Sequence, residues 1–173
     1  MNKDMSGGYR GGRPRMGGPR QSDIAAPRPQ AQGPQAPVQR TRKRVLFVCI
    51  GNSCRSQMAE GFARAYGGDI MAAQSAGLTP AVIVQPQTRQ VMAERNVSID
   101  EQFPKGMEIL TKEQFDVIVN MSGQKLPVAP GVRVRDWLVR DPIGQTDAVY
   151  KTVAEQIEGL VMRLILEMRS STL

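Results

Sequence analysis

The chain has 173 residues, 40% of them hydrophobic, which gives enough apolar material for one domain of ordinary size plus a tail. Histidine is absent and there are two cysteines, Cys49 and Cys54; this excludes His-based acid/base catalysis, histidine-ligated metals, a four-thiolate zinc site and a disulfide framework. The formal net charge is +7, but residues 1–44 hold ten of the 23 Lys and Arg against two acidic residues, so the remainder of the chain is close to neutral.

Residues 1–44 also carry seven of the 17 glycines and six of the 12 prolines, with Tyr9 as their only aromatic. Such a composition cannot bury enough apolar surface to offset its ordering entropy, and it is expected to be a disordered tail. Its Tyr9-Arg10-Gly11-Gly12 and Arg13-Pro14-Arg15 pieces are of the kind that contact single-stranded RNA, and Arg40-Thr41-Arg42-Lys43-Arg44 suits phosphate backbones or anionic surfaces. A solvated tail with no partner, and a start assigned too far upstream, are the competing readings. No apolar run is long enough to span a bilayer and no secretory signal is visible, so a cytoplasmic protein is expected.

Residues 45–173 are expected to form one folded domain. Val45-Leu46-Phe47-Val48 reads as a buried strand, and about Cys54 to Tyr66 as a helix closed by Gly67-Gly68. Asp69 to Gln74 is the next strand. A helix from Pro86 to about Arg95 has proline in its first turn and Asn96 past its end. Phe115 to Asn120 and Val132 to Leu138 read as strands. The last element is the clearest helix, with Val149, Val153, Ile157, Leu160, Val161, Leu164, Ile165 and Met168 in one apolar stripe. Strands alternating with helices predict an α/β fold: a small, doubly wound, parallel four-stranded sheet with helices on both faces, preceded by the disordered tail.

The segment that carries chemistry follows the first strand: Cys49-Ile50-Gly51-Asn52-Ser53-Cys54-Arg55-Ser56. In an open parallel sheet, ligands bind beyond the carboxyl ends of strands, where a helix N-terminus offers unpaired N–H groups and a positive dipole end. Five residues between Cys49 and Arg55 let the loop curl around a tetrahedral oxyanion. The backbone N–H groups of Ile50, Gly51, Asn52, Ser53, Cys54 and Arg55 would hold its oxygens, with the guanidinium gripping two of them. Gly51 would allow close approach and Asn52 left-handed geometry. The same positive cradle favours a thiolate at Cys49, and Ser56 would add a hydrogen bond to the sulfur.

Val45 to Gly61, VLFVCIGNSCRSQMAEG, resembles the phosphate loop of the low-molecular-weight protein tyrosine phosphatases and, more closely, their arsenate-reductase branch. Gln74-Ser75-Ala76-Gly77 is similar to the family's Ser-Ala-Gly, and Asp141-Pro142 to its Asp-Pro loop. The resemblance implies that Cys49 forms a covalent phosphocysteine, that Arg55 and the loop amides stabilise the transferring group, and that Asp141 is the acid and base. Asp136 is the rival acid, but only Asp141 has the matching proline. Asn52, Glu60 and Ser75 match positions of a monovalent-cation site in the arsenate-reductase branch. No metal or organic cofactor is implied.

Two departures from the family matter. Ser122 stands where the thioredoxin-coupled reductases carry a resolving thiol, and no cysteine follows it. Arsenate reduction would then need an external thiol (thioredoxin, glutathione or mycothiol), or a bond between Cys49 and Cys54 as redox partner. The aromatic walls usual in the phosphatase branch are also missing: the stretches read Leu78-Thr79-Pro80 and Ile143-Gly144-Gln145, and Phe103 and Trp137 are expected to face the core. The leading expectation is a phosphomonoester phosphatase, with arsenate reduction second. A phosphate- or RNA-binding protein acting through its tail is the reading from another class.

Overall fold

The computed structural model describes residues 42–171, together with Gly8, Gly11 and Gly12. The expectations for the tail, its disorder and its nucleic-acid or surface contacts, therefore lie outside the described residues except at Arg42, Lys43 and Arg44. The elements follow in order β1 (Lys43–Cys49), α1 (Arg55–Gly67), β2 (Met71–Gly77), α2 (Pro86–Glu94), α3 (Ile109–Lys112), β3 (Val117–Asn120), β4 (Val134–Asp136) and α4 (Asp147–Ser170).

The four strands form one sheet in the order β2-β1-β3-β4, and every pair is parallel. Strand β1 is central, which is why its sequence is apolar without interruption: both of its faces are covered. The period of two then divides its side chains. Val45, Phe47 and Cys49 join a core with α1, α2 and α4, whereas Leu46 and Val48 join a second core with Ile118, Ile109 of α3 and Leu126. Cys49 thus lies on the α1 side of the sheet. Helices cover both faces, but the second face has only the one-turn α3 and extended segments.

The chain leaves β1 for β2 on one side and later reaches β3 on the other. The loop after β1 therefore sits where the winding reverses, the position at which open α/β sheets bind ligands. Residues 50–54 occupy that place.

Several boundaries differ from expectation for physical reasons. Strand β1 begins at Lys43, because Arg44 is tied into the domain: its N–H donates to Asp116 Oδ2 at 2.7 Å, its guanidinium pairs with Glu113, and its charge lies 5.5 Å from the Phe115 ring centre. That arginine is therefore not part of a free basic cluster. Strand β2 runs to Gly77 rather than Gln74, since all seven of its residues pair with β1, so Ser75-Ala76-Gly77 is strand rather than turn. Helix α3 had no periodic signal, being only four residues long.

Gly67 does not end α1 by a left-handed turn. A Cβ there would lie 2.8 Å from Ile165 Cγ1, so the glycine permits the close approach of α1 and α4. Asn96, just beyond α2, does take a positive φ of 59°, as its position suggested. In α4 the stripe is as expected, with Tyr150 and Ala154 added to its fully buried set. Among the described residues no helix is long and apolar enough to cross a membrane.

Ile157 is fully buried between α4 and the rest of the larger core. Its truncation, Ile157→Ala, is expected to lower unfolding stability by about 2–5 kcal/mol in urea titration without moving the site residues.

Candidate active site

The loop from Cys49 to Cys54 is held from outside by its carbonyl groups. Leu78 N–H donates to the Cys49 carbonyl at 3.1 Å, Thr79 N–H to Ile50 at 2.9 Å, and Ala81 N–H to Gly51 at 2.8 Å. Gln57 Nε2 donates to the Asn52 carbonyl at 2.9 Å. Gln85 N–H and the Thr88 hydroxyl both donate to Ser53 O, at 2.9 and 3.2 Å. In a trans peptide the N–H of the next residue points opposite to the carbonyl. The N–H groups of Ile50, Gly51, Asn52, Ser53 and Cys54 therefore turn away from these partners, toward the concave side. Helix α1 begins at Arg55 with no side-chain cap and no acidic residue in its first turn. Its N–H groups and dipole add to the same positive concavity.

Asn52 shapes the loop in two ways. Its backbone takes φ 46°, the left-handed region that asparagine tolerates. Its side-chain oxygen accepts from the backbone N–H of Lys105 at 2.7 Å and from Gln57 Nε2 at 3.1 Å. A backbone N–H can only donate, so the amide orientation is fixed and Nδ2 must face Ser56. That nitrogen donates to Ser56 Oγ at 2.8 Å. The serine then has its own proton free for Cys49 Sγ, 2.9 Å away. Cys49 itself is 3% exposed and sits at the floor of the loop.

Glycine is needed at Gly77 more than at Gly51. A Cβ on Gly77 would lie 2.7 Å from the Ile50 carbonyl oxygen and 2.8 Å from Asn52 N, whereas one on Gly51 would come no nearer than 3.3 Å to Ser53 Oγ. The end of β2 is thus pressed against the back of the loop. Gln102 Nε2, which donates to Gln57 Oε1 at 2.7 Å and to Gln57 O at 3.0 Å, completes the backing. Gln57, Thr88, Gln102 and Lys105 escaped the sequence reading as supports because each is an ordinary polar residue whose partner lies far along the chain.

Arg55 is buried and ties three strand ends together. Nη1 donates to the carbonyls of Met121, beyond β3, at 2.8 Å and of Val139, beyond β4, at 3.1 Å. Nη2 meets Asp141 Oδ2 at 2.6 Å. Two of its five N–H groups remain for an oxyanion, Nε–H and one on Nη2, the nitrogen that also meets Asp141. The Asp141 side chain is 42% exposed, and its other oxygen accepts from Ile143 N–H at 3.1 Å. Asp136 is elsewhere engaged: Asn120 Nδ2 donates to it at 2.7 Å. Ser122 bonds with Asn120 Oδ1 at 2.6 Å, so both residues form one polar cluster at the ends of β3 and β4.

Cys54 is 1% exposed. Burial is the main influence on its thiol, and the nearby Cys49 and Asp141 act in the same direction, pushing its pKa up to about 12 against the partial relief of a Thr88 hydrogen bond and Arg55. The thiol is protonated at neutral pH.

Glu60 and Ser75 are brought together, the serine hydroxyl donating to Glu60 Oε2. Asn52 lies in the neighbouring network and is linked to them through Lys105, whose ammonium is 3.5 Å from Glu60 Oε2. Arg64 Nη2 reaches Glu60 Oε1 at 2.6 Å.

Several aliphatic side chains close in sequence to the site residues are exposed. Val82 and Ile83, after β2, and Leu138 and Ile143, after β4, are all exposed. Trp137 faces the core as expected, 5.9 Å from Phe47. Phe103 does not: it is 62% exposed, with the Lys105 ammonium 4.9 Å from its ring centre.

Two outcomes are expected. Gly77→Ala should displace the loop, weakening inorganic phosphate binding more than about tenfold in calorimetric titration, because backbone rather than flexible side chain opposes the added methyl. For Cys54, the folded state holds its proton more tightly than the unfolded chain. Stability should therefore fall as pH rises from about 9 to about 12, by up to about 1.4 kcal/mol per unit. That slope should be absent in Cys54→Ser and should remain in the difference between parent and variant, read by urea unfolding at each pH.

The family model for "Low molecular weight phosphotyrosine protein phosphatase" matches residues 44–172. A "Glutaredoxin arsenate reductase" of Synechocystis sp. is 36% identical over 127 residues, covering 71% of this chain and 96% of the relative. "Arsenate reductase 1" of Bacillus cereus is 33% identical, covering 70% and 93%. A solved structure of "an arsenate reductase in the phosphate binding state" superposes with a TM-score of 0.66 at 35% identity, covering 73% of this chain and 98% of that one. The tyrosine phosphatase of T. tengcongensis gives 0.63 at 27% identity, covering 72% and 99%. With the loop, its arginine and the four-stranded parallel sheet all in place, the chain belongs to the low molecular weight phosphotyrosine protein phosphatase family.

Proposed function

We propose that residues 45–173 form a cysteine-dependent phosphatase that hydrolyses phosphomonoesters of the phosphotyrosine type. The observation that carries this reading is the convergence of Arg55, the loop after Cys49 and Asp141 at the ends of three adjacent strands, with Arg55 and Asp141 in direct contact. Cys49 attacks phosphorus in line as its thiolate, and the phosphorus–oxygen bond to the leaving group breaks. The loop N–H groups and Arg55 hold the equatorial oxygens. An incoming dianion competes with Asp141 for Nη2, which releases the carboxyl group toward the leaving oxygen, where its protonated form donates the proton. Water then attacks phosphorus, Asp141 takes its proton, and the phosphorus–sulfur bond breaks. No second thiol is consumed, which suits a chain whose other cysteine is buried and protonated.

Arsenate reduction is the second reading, favoured by the names of the relatives. Cys49 would attack arsenic, and two external thiol equivalents would supply the electrons, leaving as a disulfide while arsenite departs. Glutathione, mycothiol or thioredoxin are the reductants to compare, and either reaction places the protein in a reducing compartment such as the cytoplasm. A binder acting only through its basic segment has no use for an acid in contact with Arg55.

Paired assays separate these readings. Aryl phosphate turnover, without arsenate turnover in any of the three thiol systems, is the expected outcome. Cys49→Ser should abolish turnover while inorganic phosphate still binds within a few-fold of the parent. Asp141→Asn should lower kcat by about 10²–10³, and by more for alkyl than for aryl leaving groups. Thiol-dependent arsenate turnover alone would instead establish the second reading. Turnover surviving in Cys49→Ser would refute both.

A further inference from the structure

Behind the phosphate loop lies a buried ionic cluster that the chemistry above does not use. Glu60 is fully buried on α1, against Ser75 of β2. A carboxylate there needs charged or hydrogen-bonding partners to offset its lost hydration. It has three: the Ser75 hydroxyl of β2, the Arg64 guanidinium one turn along α1, and the Lys105 ammonium. The two cations are not equivalent. The Arg64 side chain is 55% exposed and reaches Glu60 from solvent, whereas that of Lys105 is 19% exposed.

Lys105 also grips the loop through its backbone. Its N–H donates to Asn52 Oδ1 at 2.7 Å, and its carbonyl accepts from Gly77 N–H at 2.8 Å. One residue therefore touches the side chain that fixes the loop's left-handed turn, the strand end pressed against the loop, and the buried carboxylate. Its ammonium is held in place by the Phe103 carbonyl at 3.3 Å and the Phe103 ring at 4.9 Å. Gln57, which carries the Asn52 carbonyl, bonds to that same Phe103 carbonyl at 3.0 Å.

We propose that Lys105 is a positioning residue, a tethered counter-cation whose attraction to Glu60 draws the Phe103–Gly106 segment onto the back of the loop and so sets Asn52 and the N–H groups that face the oxyanion. The coupling runs from Glu60 to the Lys105 ammonium, then through the Lys105 backbone to Asn52 Oδ1, and from Asn52 Nδ2 to the Ser56–Cys49 pair. Because the cation is built into the chain, the protein should not depend on which small cation is dissolved around it. The proposal rests on reading the loop as an oxyanion cradle. Inorganic phosphate affinity serves as the primary readout because it does not require that either turnover reaction be the right one.

The test compares Lys105→Met, Lys105→Arg, Arg64→Ala, Glu60→Gln and the Glu60→Gln/Lys105→Met pair, with phosphate binding by calorimetry and turnover on whichever substrate the parent accepts. The parent should be indifferent to potassium, sodium or ammonium at equal ionic strength. Lys105→Met should bind phosphate about tenfold more weakly, and ammonium or potassium should restore part of the loss. Lys105→Arg should retain most of the affinity. Arg64→Ala, which removes the outer cation only, should stay within about twofold. In the Glu60→Gln background Lys105→Met should have little further effect, since the partner charge is already gone. Additive losses in that pair, a Lys105→Met loss that no cation relieves, or an affinity unchanged in Lys105→Met would overturn the proposal. If Lys105→Met does not fold, the pair and Lys105→Arg still decide, because Glu60→Gln removes the unpaired charge. Absence of turnover by the parent would count against the proposed function and leave the binding comparison intact.

Discussion

Five consecutive carbonyl groups, from Cys49 to Ser53, are held by donors outside the loop, and the rest of the site depends on that single constraint. Peptide geometry leaves the following N–H groups no direction but the concave side. The proposed anion-binding character of the loop is therefore a consequence of how its back is held. The donors come from the segment after β2, from the start of α2 and from α1. A loop that reads as a short stretch of local sequence is in fact fastened, apart from Gln57, by residues up to 35 positions further along the chain.

The same logic explains the placement of Arg55. It opens α1, so its position follows from the helix start, but its direction follows from the carbonyls of Met121 and Val139. These lie beyond β3 and β4, the strands on the side of the sheet away from β2. One guanidinium thereby links the loop after β1 to the ends of two other strands, and its contact with Asp141 is possible only because β3 and β4 pair in parallel beside β1. The fold brings to one end of the sheet groups that are 86 residues apart in sequence.

Cys49 and Cys54 illustrate how position within one loop separates two chemically identical groups. Cys49 has the Ser56 hydroxyl against its sulfur at the floor of the concavity. Cys54, at the helix start, is turned into the core, where burial holds its proton. In the proposed reaction the nucleophile is the sulfur that the loop encircles, while its neighbour packs in the core.

The sequence by itself determined the alternation of strands and helices, the long apolar stripe of α4, the central strand and the loop motif, because each rests on local periodicity or on spacing within about a dozen residues. The preference for Asp141 over Asp136 as the proposed acid rests on one adjacent proline. Boundaries of β2 and the existence of α3 were not legible, since Ser75-Ala76-Gly77 is strand only by pairing with β1, and four helical residues carry no period. Gly67-Gly68 closes α1 as read, but the packing of Gly67 against Ile165 was not legible, and Phe103 read as core but faces solvent. Only the tertiary structure decided that Asp136 is bound to Asn120, that Arg55 rests on Asp141, and that Lys105 stands beside Glu60. Each of these is a contact between distant residues, and no local pattern of side chains encodes which distant partner a polar group will meet.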